Sequence, residues 1–181
     1  MLIFHNENIN SKFNGTIIDI ETIGGFCREH EDDDSRTYSK LIPTIFGYVT
    51  KDELNIICAK GKSGLEKLEQ EAIKILPSLK RPIYAFQSRF ERGVLHHCYK
   101  YTLQIDGELN GASYEWKGNA CSELNIPNYD DPFNNIGKKC IFAWLRGDYE
   151  NSIKHNRSCL LKERDILLKR TYRKPDNLKM Y

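Results

Sequence analysis

Asp19 and Glu21 stand two residues apart in the run Gly15-Thr16-Ile17-Ile18-Asp19-Ile20-Glu21-Thr22-Ile23-Gly24-Gly25, and this spacing is where the chain could do chemistry. Ile17, Ile18 and Ile20 are β-branched, as a central strand prefers, and the paired glycines break the run. Strand side chains alternate between faces, so both carboxylates fall on one side while Ile18 and Ile20 take the other. Two acids sharing a small patch repel unless a cation neutralises them, and an all-oxygen cluster suits Mg²⁺ or Mn²⁺. The same Asp-x-Glu spacing also occurs as an ordinary polar edge on an exposed strand, so the rest of the chain must supply the support.

The elements that would hold such a pair can be read from periodicity. Ile45–Thr50 and Leu54–Ala59 are strand-like runs separated by the polar Lys51-Asp52-Glu53, which is a hairpin signal. From Ser63 the spacing becomes helical, with Leu65, Leu68, Ala72, Ile73, Ile75 and Leu76 in one stripe that Pro77 ends. Pro82–Phe86 reads as a short buried strand, Arg89–Tyr99 as a helix and Tyr101–Ile105 as a further strand. After a weakly patterned stretch, in which Cys121–Leu124 suggests a short helix, two helices are expected at Lys138–Leu145 and Asp148–Arg170, with Asp148 as N-cap. Met1–Asn14 is polar and reads as a loosely attached lead-in, and Phe26–Thr44 as a long loop beside the acidic pair. This order predicts an α/β domain over residues 15–170, a mixed sheet of about five strands flanked by helices, followed by a basic tail at 171–181.

Asp19-Ile20-Glu21-Thr22-x-Gly24 resembles the first motif of the DnaQ-like (DEDD) exonucleases of the ribonuclease H-like fold. The predicted order of elements is similar to that fold, in which the first strand lies in the middle of the sheet. Tyr84–Leu95 looks like the family's second motif, with Gln87 where an Asn is usual and Glu91 where an Asp is usual. Glu91 in the first turn of a helix is equally an acid stabilised by the helix dipole. The third motif departs further: aligning His155-Asn156-Arg157-Ser158-Cys159 with it puts His155 at the family's Tyr or His and Cys159 where the fourth acid belongs. A thiol is a poor partner for Mg²⁺. Glu163, one turn later on the same face, is the nearest repair, with Asp148 and Glu150 as others. The resemblance implies a metal-dependent 3′–5′ exonuclease acting on single-stranded DNA or RNA. Asp19, Glu21, Glu91 and His155 would be catalytic, and Asp19, Glu21, Glu91 and Glu163 would be metal ligands. Thr22, Gln87, Arg89, Phe90 and Arg157 would contact nucleic acid. The departures equally allow a catalytically degenerate module that binds nucleic acid or a protein partner.

Composition is compatible with either reading. The 181 residues are 40% hydrophobic and 29% charged, enough for one sizeable core. No apolar run has membrane-spanning length and Met1–Asn10 carries no leader pattern, which points to a cytoplasmic protein. The six cysteines include no Cys-x-x-Cys pair and read as reduced core thiols rather than as a zinc site with His96, His97 or His155. A net charge of +2 does not by itself imply a polyanionic partner. The basic excess after Lys138 fits either a phosphate-binding face or a solvated helix surface, and Asp32-Asp33-Asp34 reads as solvated charge.

Overall fold

The computed structural model describes residues 1–181. Strand β2 (Thr16–Gly24) lies inside a six-stranded mixed sheet. It pairs antiparallel with β3 (Leu41–Val49) and parallel with β5 (Ile83–Ala85). Strand β4 (Glu53–Ala59) completes the hairpin with β3, while β1 (Leu2–Asn8) and β6 (Gly107–Glu108) form the two edges, giving the order β1-β4-β3-β2-β5-β6. Ile17 and Ile18 point to opposite faces and neither is exposed at all, so β2 is covered on both sides. This is the architecture the element order predicted, and it is consistent with a ribonuclease H-like arrangement.

Five helices cover the sheet: α1 (Leu65–Ile75), α2 (Ser88–Tyr99), α3 (Lys117–Glu123), α4 (Gly137–Leu145) and α5 (Tyr149–Arg170). Asp148 caps α5 by accepting from the Asn151 N–H, as its position suggested. No helix is long and apolar enough to cross a membrane.

Three local expectations are corrected. The supposed lead-in at 1–14 contains β1, which pairs with β4 from Leu2↔Ala59 to Asn8↔Glu53 and so belongs to the sheet. Tyr101–Ile105 is not a strand, since only Gly107 and Glu108 form one. The 171–181 tail is not free. Glu108 and Arg173 form an antiparallel bridge, Asp34 and Lys179 a parallel one, and Leu178 is buried against Tyr38, Leu41 and Val94.

Candidate metal and nucleic-acid site

Asp19 reaches the site because β2 carries it inward, and its carboxylate is held from α5. Asn156 Nδ2 donates to Asp19 Oδ2 at 2.6 Å and to the Asp19 carbonyl at 3.2 Å. That contact requires Gly47, which sits opposite Asp19 on β3, because a Cβ there would lie 2.1 Å from Asn156 Oδ1. Immediately after Glu21 the β2–β3 register slips, with Thr22 facing Pro43, which has no N–H for the ladder. The slip falls at the polar end of the strand, where the two acids are presented.

Glu91 enters from the first turn of α2 and Glu163 from α5, and both are buried. Lys117, the first residue of α3, joins Asp19 Oδ1 at 3.1 Å and Glu163 Oε1 at 2.5 Å. Burial alone would discharge this ammonium, but the carboxylates of Asp19 and Glu163 outweigh it and hold its pKa well above normal. Burial, together with repulsion from Asp19, raises Glu91 and Glu163 well above the carboxylate range, and Glu163 adds to the rise at Glu91. Glu91 Oε2 and Glu163 Oε2 have no hydrogen-bond partner. One ammonium therefore serves more carboxylates than it can satisfy.

Glu21 and His155 lie nearer the opening. Burial and the Asp19 charge push Glu21 up to about 7. His155 Nδ1 is 2.7 Å from Asp131 Oδ1, and its Nε2 is 3.6 Å from Glu21 Oε1 and 3.8 Å from Cys159 Sγ. Burial opposes a charge on the ring, but Cys159, Glu21 and Asp131 outweigh it and raise His155 to about 11. In this environment the ring holds its proton at neutral pH, unlike an ordinary imidazole. Asp131 is itself fixed by the Lys162 ammonium at 2.9 Å and by the N–H groups of Phe133 and Asn135.

These groups open into a cavity of about 290 Å³ whose walls include Asp19, Glu21, Glu91, Lys117, His155 and Cys159. A second hollow of about 380 Å³ shares Phe26, Gln87 and Phe90 with it and adds Arg28, Arg89 and Tyr114. The rings of Phe26, Tyr114 and Trp116 stand more than half exposed at these mouths. Of the residues expected at nucleic acid, Gln87, Arg89 and Phe90 line these hollows. Thr22 is buried beyond the register slip and lines a smaller neighbouring hollow. Arg157 is corrected: its guanidinium grips both oxygens of Glu7 on β1, and it lines neither cavity. Asp148 is spent as a helix cap, and Glu150 pairs with Lys154 on the surface, so neither supplies the missing acid.

Three participants carried no sequence signal: Lys117 and Asp131 come from the weakly patterned stretch 106–137 and Lys162 from a helix position whose partners are remote in sequence, while Asn156 lay within the third-motif alignment without a role assigned to it. Comparison of the chain with protein-family models, with curated proteins and with solved structures brings up no match.

Proposed function

We propose that the chain is a divalent-metal-dependent nuclease, a 3′–5′ exonuclease for single-stranded DNA or RNA. The observation that carries this reading is the burial of Asp19, Glu91 and Glu163 around one cation with two carboxylate oxygens left unpartnered. Buried acids in such excess hold protons when left alone and ionise together only if further positive charge arrives. The donors are all oxygen, so Asp19, Glu21, Glu91 and Glu163 suit Mg²⁺ or Mn²⁺. Such an ion, when bound, supplies Lewis-acid activation of water and of the phosphoryl group.

The chain's own residues supply the rest. Lys117 places an ammonium on the cavity wall, where it can meet a phosphate oxygen. Phe26, Tyr114 and Trp116 offer exposed ring faces to unpaired bases, and Arg28 and Arg89 add positive charge beside them. His155, protonated and held by Asp131, can donate to a developing anion, with Glu21 as its carboxylate neighbour.

Mn²⁺-dependent shortening of a 5′-labelled single-stranded oligonucleotide tests the reading. Activity should be lost in Asp19→Ala; no shortening by the wild-type chain, or full activity in that variant, would remove it. A second reading has its own observation: Lys117 already bridges Asp19 and Glu163, as an internal replacement for the ion would. On that reading the chain is a degenerate module that binds nucleic acid without metal. Calorimetry separates the two, because only the enzyme takes up Mn²⁺ stoichiometrically and loses that uptake in Asp19→Ala.

A further inference from the structure

Overlapping the all-oxygen cluster at Glu21 is a donor set of different chemistry. We propose that Glu21, His155 and Cys159 form a binding site for Zn²⁺, which on binding displaces the protons that Nε2 and Sγ carry in the metal-free chain, with its fourth position open to the cavity. The carboxylate oxygen, Nε2 and Sγ all lie within 4.8 Å of one another. Nε2 is 3.6 Å from the Glu21 oxygen and 3.8 Å from the sulfur. Zinc bonds of about 2.0–2.3 Å at tetrahedral angles require ligand atoms roughly 3.3–3.8 Å apart. Two edges of the required triangle are therefore already in place, without rearrangement of the backbone.

The scaffold behind the three ligands is that of a built site. His155 and Cys159 occupy successive turns of α5 and so face the same way, while Glu21 comes from β2 across from them. The Asp131 carboxylate holds the other ring nitrogen at 2.7 Å and is itself held by Lys162 and two backbone N–H groups. A carboxylate behind a ligating imidazole fixes the ring and aims Nε2 at the metal. All three ligands line the cavity, together with Trp116, Asn135 and Gly137, which leaves room for water or an anionic ligand in the fourth position. A mixed oxygen, nitrogen and sulfur set favours zinc over magnesium.

The other group of this kind, Cys27, Glu29 and His30, is built differently. It sits within one short turn, and the carboxylate nearest its imidazole, Asp34 at 4.0 Å, is engaged by Arg36. It serves as the internal control.

The zinc site stands on its donor set and does not require the chain to cut nucleic acid. Cobalt(II) is the probe. One equivalent added to the metal-stripped full-length protein should give the intense visible bands of a tetrahedral centre and a near-ultraviolet thiolate-to-cobalt charge-transfer band, displaced by one equivalent of Zn²⁺ but not by excess Mg²⁺. The charge-transfer band should vanish in Cys159→Ser and persist in Cys27→Ser, with thermal melts confirming that both fold. His155→Ala should weaken cobalt binding at least tenfold. Absence of the band in the wild-type protein, its survival in Cys159→Ser or its loss in Cys27→Ser would each overturn the assignment. Loss of oligonucleotide hydrolysis in Asp19→Ala is a separate outcome, so the two proposals can fail independently.

Discussion

Lys117 decides the electrostatic state of the site. It is the single ammonium facing Asp19 and Glu163, and its removal leaves two buried carboxylates without a counter-charge. Breaking a buried pair in this way costs about 3–5 kcal/mol, and the figure is an upper bound here because Glu163 can take up a proton. Lys117→Met should therefore lower the melting temperature in the absence of metal. If the carboxylates also bind a divalent ion, the same substitution removes a competitor, so Mn²⁺ should restore much of the lost stability and bind more tightly than to the wild-type chain. Melting curves with and without Mn²⁺ measure both effects. A variant as stable as the wild type without metal would show that Lys117 is not the neutralising charge.

Among the elements, α5 has an unusual burden, because it carries His155, Asn156, Lys162 and Glu163, all buried. It can lie close enough to hold Asp19 only because β3 presents Gly47 there. In Gly47→Ala the new methyl group would meet Asn156 Oδ1 at 2.1 Å and Leu160 Cδ1 at 2.9 Å, so the helix must retreat. Overpacking of this kind costs about 1–3 kcal/mol. It should also lower metal affinity beyond what the stability loss explains, since Asp19 loses its clamp. Calorimetric Mn²⁺ titration beside a thermal melt distinguishes a displaced helix from a merely weakened fold.

The same elements show what was legible in the sequence. Helix α5 was readable from its Asp148 cap and its spacing, and β2 from its isoleucines and terminal glycines. Strand β1 was hidden because it is an edge strand, half-exposed along its length and rich in asparagine, so it has no buried stripe to declare it. Glu91 was expected beside Asp19 from the resemblance of Tyr84–Leu95 to the second exonuclease motif, and Glu163 was one of the acids offered in place of the one missing at Cys159. Lys117 was not, because a lysine at the start of a short helix looks like any surface cation until the fold brings it between two acids.

For the molecule as a whole, the C-terminal segment acts as a strap rather than as a basic arm for phosphates. Two of its cations are engaged internally: Arg173 joins Asp176 at 2.7 Å and also faces Glu108, while Lys179 meets Asp33. The carbonyls of Asp176 and Asn177 accept from Arg92 and Arg89, which ties the strap to α2, the helix that delivers Glu91. Asp176 reports on this closure. The Arg173 guanidinium, opposed by partial burial and aided by Ser113, holds its carboxyl down at about 2, below its ordinary 3.8. For an acid whose folded pKa is depressed, the associated stability is complete above the unfolded pKa and is lost as pH falls through the folded one. The strap should therefore stay closed at neutral pH and loosen between roughly pH 4 and pH 2, by an amount that solvent screening of this accessible pair keeps small. Amide exchange, corrected for its intrinsic pH dependence, should show protection at Asp176 and Lys179 falling in that interval before protection in β2 and β3 does. Asp176→Asn should shift the loss to neutral pH. Unchanged protection at Lys179 in that variant would mean that Leu178 and its apolar neighbours, rather than the Asp176 carboxylate, keep the strap in place.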